Sequence, residues 1–459
     1  MYNPNLHFHF TGIGGSGMSG LAEILLGLGF KVSGSDLKLS DVSRRLERLG
    51  ATVFAGHAAE HLPQSASLVV YSSAVPLDNP EVVEAKLRGL PVIRRAEVLA
   101  ELMRLKFGVG VAGSHGKTTT TSMTAAILEA AGKDPTVIIG GQVKSIGTGG
   151  KLGKGDILVA ESDESDRSFL LLRPTIAVVT NIDAEHLVAY RSLADLEESF
   201  EQFISSVPFY GLAVLCIDDP KVRDLAGRFK GRKITYGISP DAQVRIENVE
   251  SSRTLTSYDV IFCGEFLCHV ALPMLGQHIA INSLAAIAVA REFGVSVAII
   301  KQALGDFGGV GRRLEVIGEP KGITVINDYG HHPTEVRATL AAVRAGYAAG
   351  LGKLHVVFQP HRYTRTRDCF AQFLDAFVDA DSLIVTDIYS AGEPALEGIN
   401  SEALCQAIRH ESCRYVPDLE SVLPGLLPSV HPGDVVVCLG AGSVGTLPER
   451  LIREIEARA

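Results

Sequence analysis

Residues 107–132 read FGVGVAGSHGKTTTTSMTAAILEAAG. The apolar run 107–112 predicts a short buried strand, GSHG predicts a turn, and the spacing from Lys117 predicts a helix that stops before Gly132. A Gly-rich turn between a strand and Lys-Thr at a helix start is a phosphate-binding pattern. Backbone N–H groups of Gly113, Ser114, His115 and Gly116 would wrap the β- and γ-phosphates of a nucleotide. Lys117 would neutralise the γ-phosphate, and the Thr118 hydroxyl would bind Mg²⁺, with Thr119 next in line. The strict form of the pattern has Gly five residues before Gly116, where this chain has Val111, so the match is to a variant loop. The bland alternative is a chance Gly-Lys-Thr at a helix cap.

Upstream, LHFHFTGIGGSGMSGLAEILLGLG places Gly12, Gly14, Gly15, Ser16 and Gly17 between a strand and a helix, with Asp36 at the end of the next strand candidate, KVSGSD. Such glycines let backbone approach a diphosphate at a helix N-terminus. A purely structural turn is the alternative, and GAGSVG at 440–445 repeats the pattern where a structural turn is favoured. His7 and His9 share one strand face and read as structural, with no acidic partner nearby in sequence.

Downstream, DILVAESDESD puts Glu161 directly after an apolar strand, followed by Asp163, Glu164 and Asp166. TNIDAEH puts His186 after the strand TIAVV. A carboxylate in that position can ligate a phosphate-bound Mg²⁺. Lys-Thr, Glu and His at three strand ends would converge on one edge of a parallel sheet, where such sheets bind ligands. A polar, strand-rich stretch lies at 232–272, and a helix is expected from Asn282. Further on, NDYGHHPTE carries Asp328, Tyr329, His331 and His332, and QPHRYTRTRD carries Arg362, Arg365 and Arg367, guanidinium groups suited to carboxylate or phosphate. Each cluster alone reads as a solvated surface; at one sheet edge they read as a site.

The 459 residues are 46% hydrophobic and 21% charged, with a net charge of −9. That balance argues against a non-specific nucleic-acid binder. No apolar stretch approaches the ~18 residues of a membrane span, and the N-terminus lacks the pattern of a signal peptide. Seven cysteines without a C-x-x-C pair read as reduced thiols of a cytoplasmic protein. The elements predict an α/β fold of three domains. An N-terminal Rossmann-like domain spans 1–105. A central P-loop ATPase-like parallel sheet with a β-rich insertion spans 106–310, and a C-terminal Rossmann-like domain spans 311–459.

GIGGSGMSG, GSHGKTTT, AESDESD, TNIDAEH, GQHIAINSLAAIA, GRRLE, NDYGHHPTE and QPHRYTRTRD, in that order over nearly the whole chain, resemble the Mur ligase family and, within it, the alanine-adding branch. The resemblance implies an ATP-dependent ligase that joins L-alanine to UDP-N-acetylmuramate through an acyl phosphate in peptidoglycan precursor synthesis. Domain one would hold the sugar nucleotide, with its diphosphate on the glycine loop and Asp36, Ser72 and Ser73 nearby; Arg95 is a further candidate by position. Domain two would bind ATP, and domain three would close over both. Lys117 would contact phosphate, Thr118 and Glu161 would hold one Mg²⁺, and His186 a second. Asn282 would meet the adenine, Arg313 the phosphates on closure, and Asp328 would help seat the nucleotide. Tyr329, His331, Arg362 and Arg365 would line the L-alanine pocket.

Two departures from the family's pattern are visible. Ile279 stands where the first Asn of G-x-H-N-x-x-N is expected, and no Lys lies between Asp195 and Tyr210, so no carbamylated lysine is expected. Other readings are a muramyl-tripeptide-recycling ligase of the same family, an NAD-dependent dehydrogenase built on the first glycine loop, and a non-catalytic nucleotide switch. Oligomeric state is left open by the sequence.

Overall fold

The structure, a computed structural model, describes residues 5–72, 74–140, 149–184, 189–347 and 352–457. Two compact units are present: residues 1–247, 259–268 and 281–308 form the first, and residues 248–258, 269–280 and 309–459 the second.

The first unit contains two sheets. One has five strands in the order Thr52–Ala55, Lys31–Asp36, His7–Thr11, Leu68–Tyr71, Val92–Arg94, all parallel. The chain runs outward in both directions from the central strand His7–Thr11, so a crevice opens at the carboxyl end of that strand. The GIGGSG loop sits there, followed by helix Ser16–Gly27. Phe10, Ile13, Leu21, Ile24 and Leu25 are almost fully buried and clamp that helix to the sheet. Burying each such side chain contributes about 1.5–3 kcal/mol, which fixes the helix N-terminus at the strand ends.

The second sheet of this unit is parallel from Lys233–Gly237 through Leu212–Cys216, Ile176–Val179, Phe107–Ala112 and Ile157–Glu161 to Thr136–Ile138, with Gly150–Lys151 antiparallel at the edge. Its strands read as continuous apolar runs because helices cover a parallel sheet on both faces. The expected insertion at 232–272 is a run of strands, Lys233–Gly237, Val244–Ser252, Leu255–Phe262 and Glu265–Leu272. The helix expected from Asn282 begins earlier, at Gln277, directly after Gly276, whose φ of +108° breaks the preceding chain.

The second unit carries a six-stranded sheet in the order Glu315–Gly318, Thr324–Asp328, Val435–Leu439, Leu354–Phe358, Ser382–Val385, Cys413–Tyr415. Only the first pair is antiparallel. The α/β class with three sheets matches the sequence-based expectation. GAGSVG at 440–445 is a structural turn as expected: Arg312 fills it, donating to the carbonyls of Gly440 at 2.5 Å and Gly442 at 3.2 Å. All seven cysteines are free thiols.

His9 has an acidic partner, contrary to the sequence reading, whereas the His7 ring meets the hydroxyls of Ser65 and Ser33. His9 Nε2 lies 3.2 Å from Glu81, 72 residues away, and both side chains are fully buried. Ser35 also donates to Glu81 at 2.7 Å. The sequence hid this partner because Glu81 opens a distant helix, Pro80–Leu87. The role remains structural: a buried carboxylate is tolerable only with donors of this kind.

Candidate active site

The phosphate loop leaves strand Phe107–Ala112 and enters helix Lys117–Ala130. Gly113 and Gly116 have φ of +132° and +83°, a region that L side chains avoid. A Cβ on Gly113 would lie 2.0 Å from Thr180 Oγ1, and one on Gly116 would lie 2.7 Å from Asn282 Oδ1. Glycine is therefore required twice over, by conformation and by space. Residues of the TNID stretch brace the turn. Asn181 Oδ1 accepts the His115 N–H at 2.8 Å, Thr180 donates to the His115 carbonyl at 2.6 Å, and the His115 ring lies 3.1 Å from Asp183. The Asp183 N–H donates to Ser114 Oγ at 2.8 Å.

Lys117 Nζ donates to the carbonyls of Gly113 at 2.6 Å and Ser114 at 3.3 Å, and to Glu164 at 2.9 Å. Burial works against its charge, but Glu164, Asp163 and Glu161 outweigh it and hold the ammonium well above the usual lysine range. Burial pushes the Glu164 carboxyl up to about 7, against the pull of Lys117. The Thr118 hydroxyl donates to both oxygens of Glu161, at 3.1 and 3.2 Å, and Glu161 also accepts the Gly140 N–H at 2.8 Å.

This donor set fits a hard divalent cation. Hydroxyl and carboxylate oxygens converge where the helix begins, and three carboxylates, Glu161, Asp163 and Glu164, face the Lys117 ammonium and the Arg95 guanidinium. A triphosphate added to that balance needs extra positive charge, and Mg²⁺ takes one or two protein oxygens plus phosphate oxygens. Glu161 and Thr118 are thus brought together as expected; His186 lies outside the described residues. Asn282 packs against Gly116, and Thr119 is buried. The sequence reading passed over Thr180, Asn181, Asp183 and Gly140. The TNID motif was on view, but backbone bracing has no spacing signature.

At the first glycine loop, the Gly14 N–H donates to Asp36 at 2.8 Å, and Gly12, with φ of +81°, faces Ser72. Gly15 caps the helix that starts at Ser16, and Ser73 lies outside the described residues. Gly17 leaves room for Arg95, whose guanidinium a Cβ there would meet at 2.4 Å, while the same Arg95 lies 3.8 Å from Asp163. Arg95 therefore touches both the glycine loop and the acidic loop of the same unit.

In the second unit, Tyr329 carries Arg312 and Arg313 over its ring, at 4.9 and 5.1 Å from the centroid. Arg313 also lies 3.7 Å from Glu335. His331 meets Tyr329 edge-on at 5.4 Å and His361 at 5.6 Å, and His361 stacks on Tyr389. Arg365 donates toward His361 at 3.1 Å, and Arg362 lies 3.7 Å from Glu393. Burial, then the neighbouring His331 and arginines, push His361 down to about 3, so it is neutral. The cluster is cationic and ring-lined, suited to a small carboxylate. Asp328 is occupied internally: it accepts from Leu314 N at 2.7 Å, Gly330 N at 2.8 Å and the Thr339 hydroxyl at 3.1 Å. It shapes the turn that presents Arg313 and Tyr329. His361 and Tyr389 were not among the expected residues; Tyr389 belongs to a separate loop and had no motif to mark it.

A parallel-sheet phosphate loop with an acid at the neighbouring strand end, joined in one chain to a diphosphate-type glycine loop and a cationic third sheet, defines a nucleotide-dependent ligase architecture. Models of the Mur ligase family match in three consecutive parts: the catalytic domain at residues 7–107, the middle domain at 111–290 and the glutamate ligase domain at 312–442. The chain belongs to the Mur ligase family. It is 52% identical to a UDP-N-acetylmuramate–L-alanine ligase of Geobacter sp. (strain M21), covering 100% of this chain and 99% of that one. It is also 52% identical to the ligase of the same name from Pelobacter propionicus, with 99% of each covered. Among solved structures, the UDP-N-acetylmuramate–alanine ligase of Thermotoga maritima superposes with a TM-score of 0.83 at 28% identity, over 98% of this chain and 99% of that one. A murein peptide ligase of Psychrobacter arcticus shares the fold, with a TM-score of 0.70 at 24% identity over 99% of each chain.

Proposed function

We propose that this chain joins L-alanine to UDP-N-acetylmuramate at the expense of ATP, forming ADP and phosphate, in peptidoglycan precursor synthesis. The observation that carries this reading is the full-length likeness to ligases of that name, set beside a Gly-rich loop whose Lys117 donates to Glu164 and whose Thr118 donates to Glu161. A carboxylate is a poor electrophile for an amine near neutral pH. Transfer of the γ-phosphoryl group to the sugar acid converts it to a mixed anhydride; the alanine amine then attacks the acyl carbon and phosphate leaves.

Each part of the chain has a task in this scheme. Residues 1–105 hold the sugar nucleotide, with the diphosphate on Gly12, Gly14, Gly15, Ser16 and Gly17 and with Asp36, Ser72 and Ser73 about it. Residues 106–310 bind ATP through Gly113–Thr119 and Asn282. Residues 311–459 supply the amino-acid site at Tyr329, His331, Arg362 and Arg365, with Asp328 and Arg313 completing the nucleotide's surroundings. Lys117 and Arg313 offset the repulsion between carboxylate and phosphate. Thr118, Glu161 and His186 would hold Mg²⁺, which when bound supplies positive charge to the phosphate oxygens. A cytoplasmic location suits the substrates, and among the described residues no helix is long and apolar enough to cross a membrane.

The test is phosphate release from ATP with UDP-N-acetylmuramate, assayed with L-alanine, glycine, L-serine or the muramyl-linked tripeptide. Release that depends on L-alanine is expected. Release that depends on the tripeptide alone would overturn this reading in favour of a recycling ligase.

A further inference from the structure

Glu164 has no role in the scheme above, yet it makes the tightest contact of the phosphate-loop lysine with any side chain. An ammonium has three N–H donors. Those of Lys117 are directed at the Gly113 carbonyl, the Ser114 carbonyl and Glu164, so none remains for a phosphate. Glu164 is 1% exposed, and its second carboxylate oxygen is buried without a hydrogen-bond partner among the described residues. Its backbone is pinned as well, since the Tyr190 hydroxyl donates to the Glu164 carbonyl. A buried carboxylate with one orphaned oxygen is costly to keep. Its position is explained if its task is to occupy Lys117.

We propose that Glu164 is a positioning residue that holds the Lys117 ammonium back against the loop carbonyls until nucleotide arrives, so that binding of a triphosphate exchanges the Lys117–Glu164 ion pair for a Lys117–phosphate pair. The inference rests on the nucleotide reading of the 113–119 loop. Its consequence is arithmetic. A ligand that needs a free Lys117 has its apparent affinity reduced by the fraction of molecules in which the lysine is free. The pair thereby sets nucleotide affinity below what the loop alone would give and keeps the lysine from capturing other anions.

The test is calorimetric binding of the magnesium complex of β,γ-methylene-ATP to the full chain, without sugar nucleotide or amino acid. Glu164→Gln keeps the shape and removes the charge; it is expected to tighten binding about tenfold, with a matching fall in the KM for ATP. In a Lys117→Ala background the same change is expected to have no effect. Equal tightening in both backgrounds would mean simple repulsion between Glu164 and phosphate and would overturn the proposal. So would weaker binding by Glu164→Gln, which would place Glu164 among the nucleotide or metal ligands. Should the Gln variant not fold, Glu164→Asp, which withdraws the carboxylate by one methylene, is expected to tighten binding by a smaller factor, and no change overturns the proposal. Failure of the unaltered chain to bind the analogue is a different result, since it would remove the nucleotide reading itself.

Discussion

The Thr118 hydroxyl bridges both carboxylate oxygens of Glu161, at 3.1 and 3.2 Å, although the two residues lie on different elements of the sheet's edge. The hydroxyl satisfies the carboxylate in the state described, and the same two groups present oxygen to a cation when nucleotide brings one. Glu161→Gln is expected to lower ATP-dependent phosphate release by about two to three orders of magnitude and to raise the Mg²⁺ concentration needed for half-maximal rate. Chelation with EDTA should abolish release, and added Mg²⁺ should restore it. A Mg²⁺ titration of both proteins checks this.

Lys117→Ala removes the cation nearest the loop. Loss of one such group costs about 3–4 kcal/mol in the barrier, or roughly 10²–10³-fold in rate. Binding of UDP-N-acetylmuramate, assigned to the separate glycine loop at 12–17, should survive. Calorimetry with the sugar nucleotide, run beside the rate assay, separates the two; a variant with near-normal turnover would remove Lys117 from the reaction.

Gly116→Ala meets two obstacles, a φ of +83° and Asn282 at 2.7 Å from the new Cβ. The left-handed conformation alone costs about 1–2 kcal/mol, and Asn282 must move as well. Thermal unfolding should shift to lower temperature, and nucleotide binding should fall by more than that shift implies, because the displaced Asn282 is also proposed to meet the nucleotide. Gly132→Ala, where a Cβ meets nothing within 4 Å, serves as the control, carrying the conformational cost alone.

His278 is held down from 6.5 to about 4, first by burial and then by the charge of Arg313, with Glu335 opposing. A base whose pKa is depressed on folding binds its proton more readily in the unfolded chain. The stability it permits is therefore complete above pH 6.5 and is lost as pH falls from 6.5 toward 4. His278→Gln should flatten that loss by about 1–2 kcal/mol at pH 5. Urea denaturation at pH 7.5 and pH 5 measures it; equal slopes for both proteins would show that His278 does not report on acid sensitivity.

The loops proposed to bind phosphate were legible in the sequence because their chemistry is local. Gly113, Gly116, Lys117 and Thr118 are neighbours, and a strand before them and a helix after them are enough to aim backbone N–H groups at an anion. The apolar runs that became the parallel strands were equally plain, since burial on both faces removes the polar alternation. Asp328 shows the limit. Its motif was plain in the sequence, but the Leu314 N–H, the Gly330 N–H and the Thr339 hydroxyl that donate to it come together only in the fold.

What the sequence by itself determined is the order of strands, turns and helices, and the residue types available at each turn. Tertiary structure alone decided which acid meets which base. Glu164 rather than Asp163 accepts the hydrogen bond of Lys117, 47 residues away, and Glu81 takes His9 across 72. The reason is physical. Backbone preference and hydrophobic periodicity act over a few residues and are written along the chain, whereas the pairing of buried charges depends on distances and desolvation that exist only after the sheets have assembled.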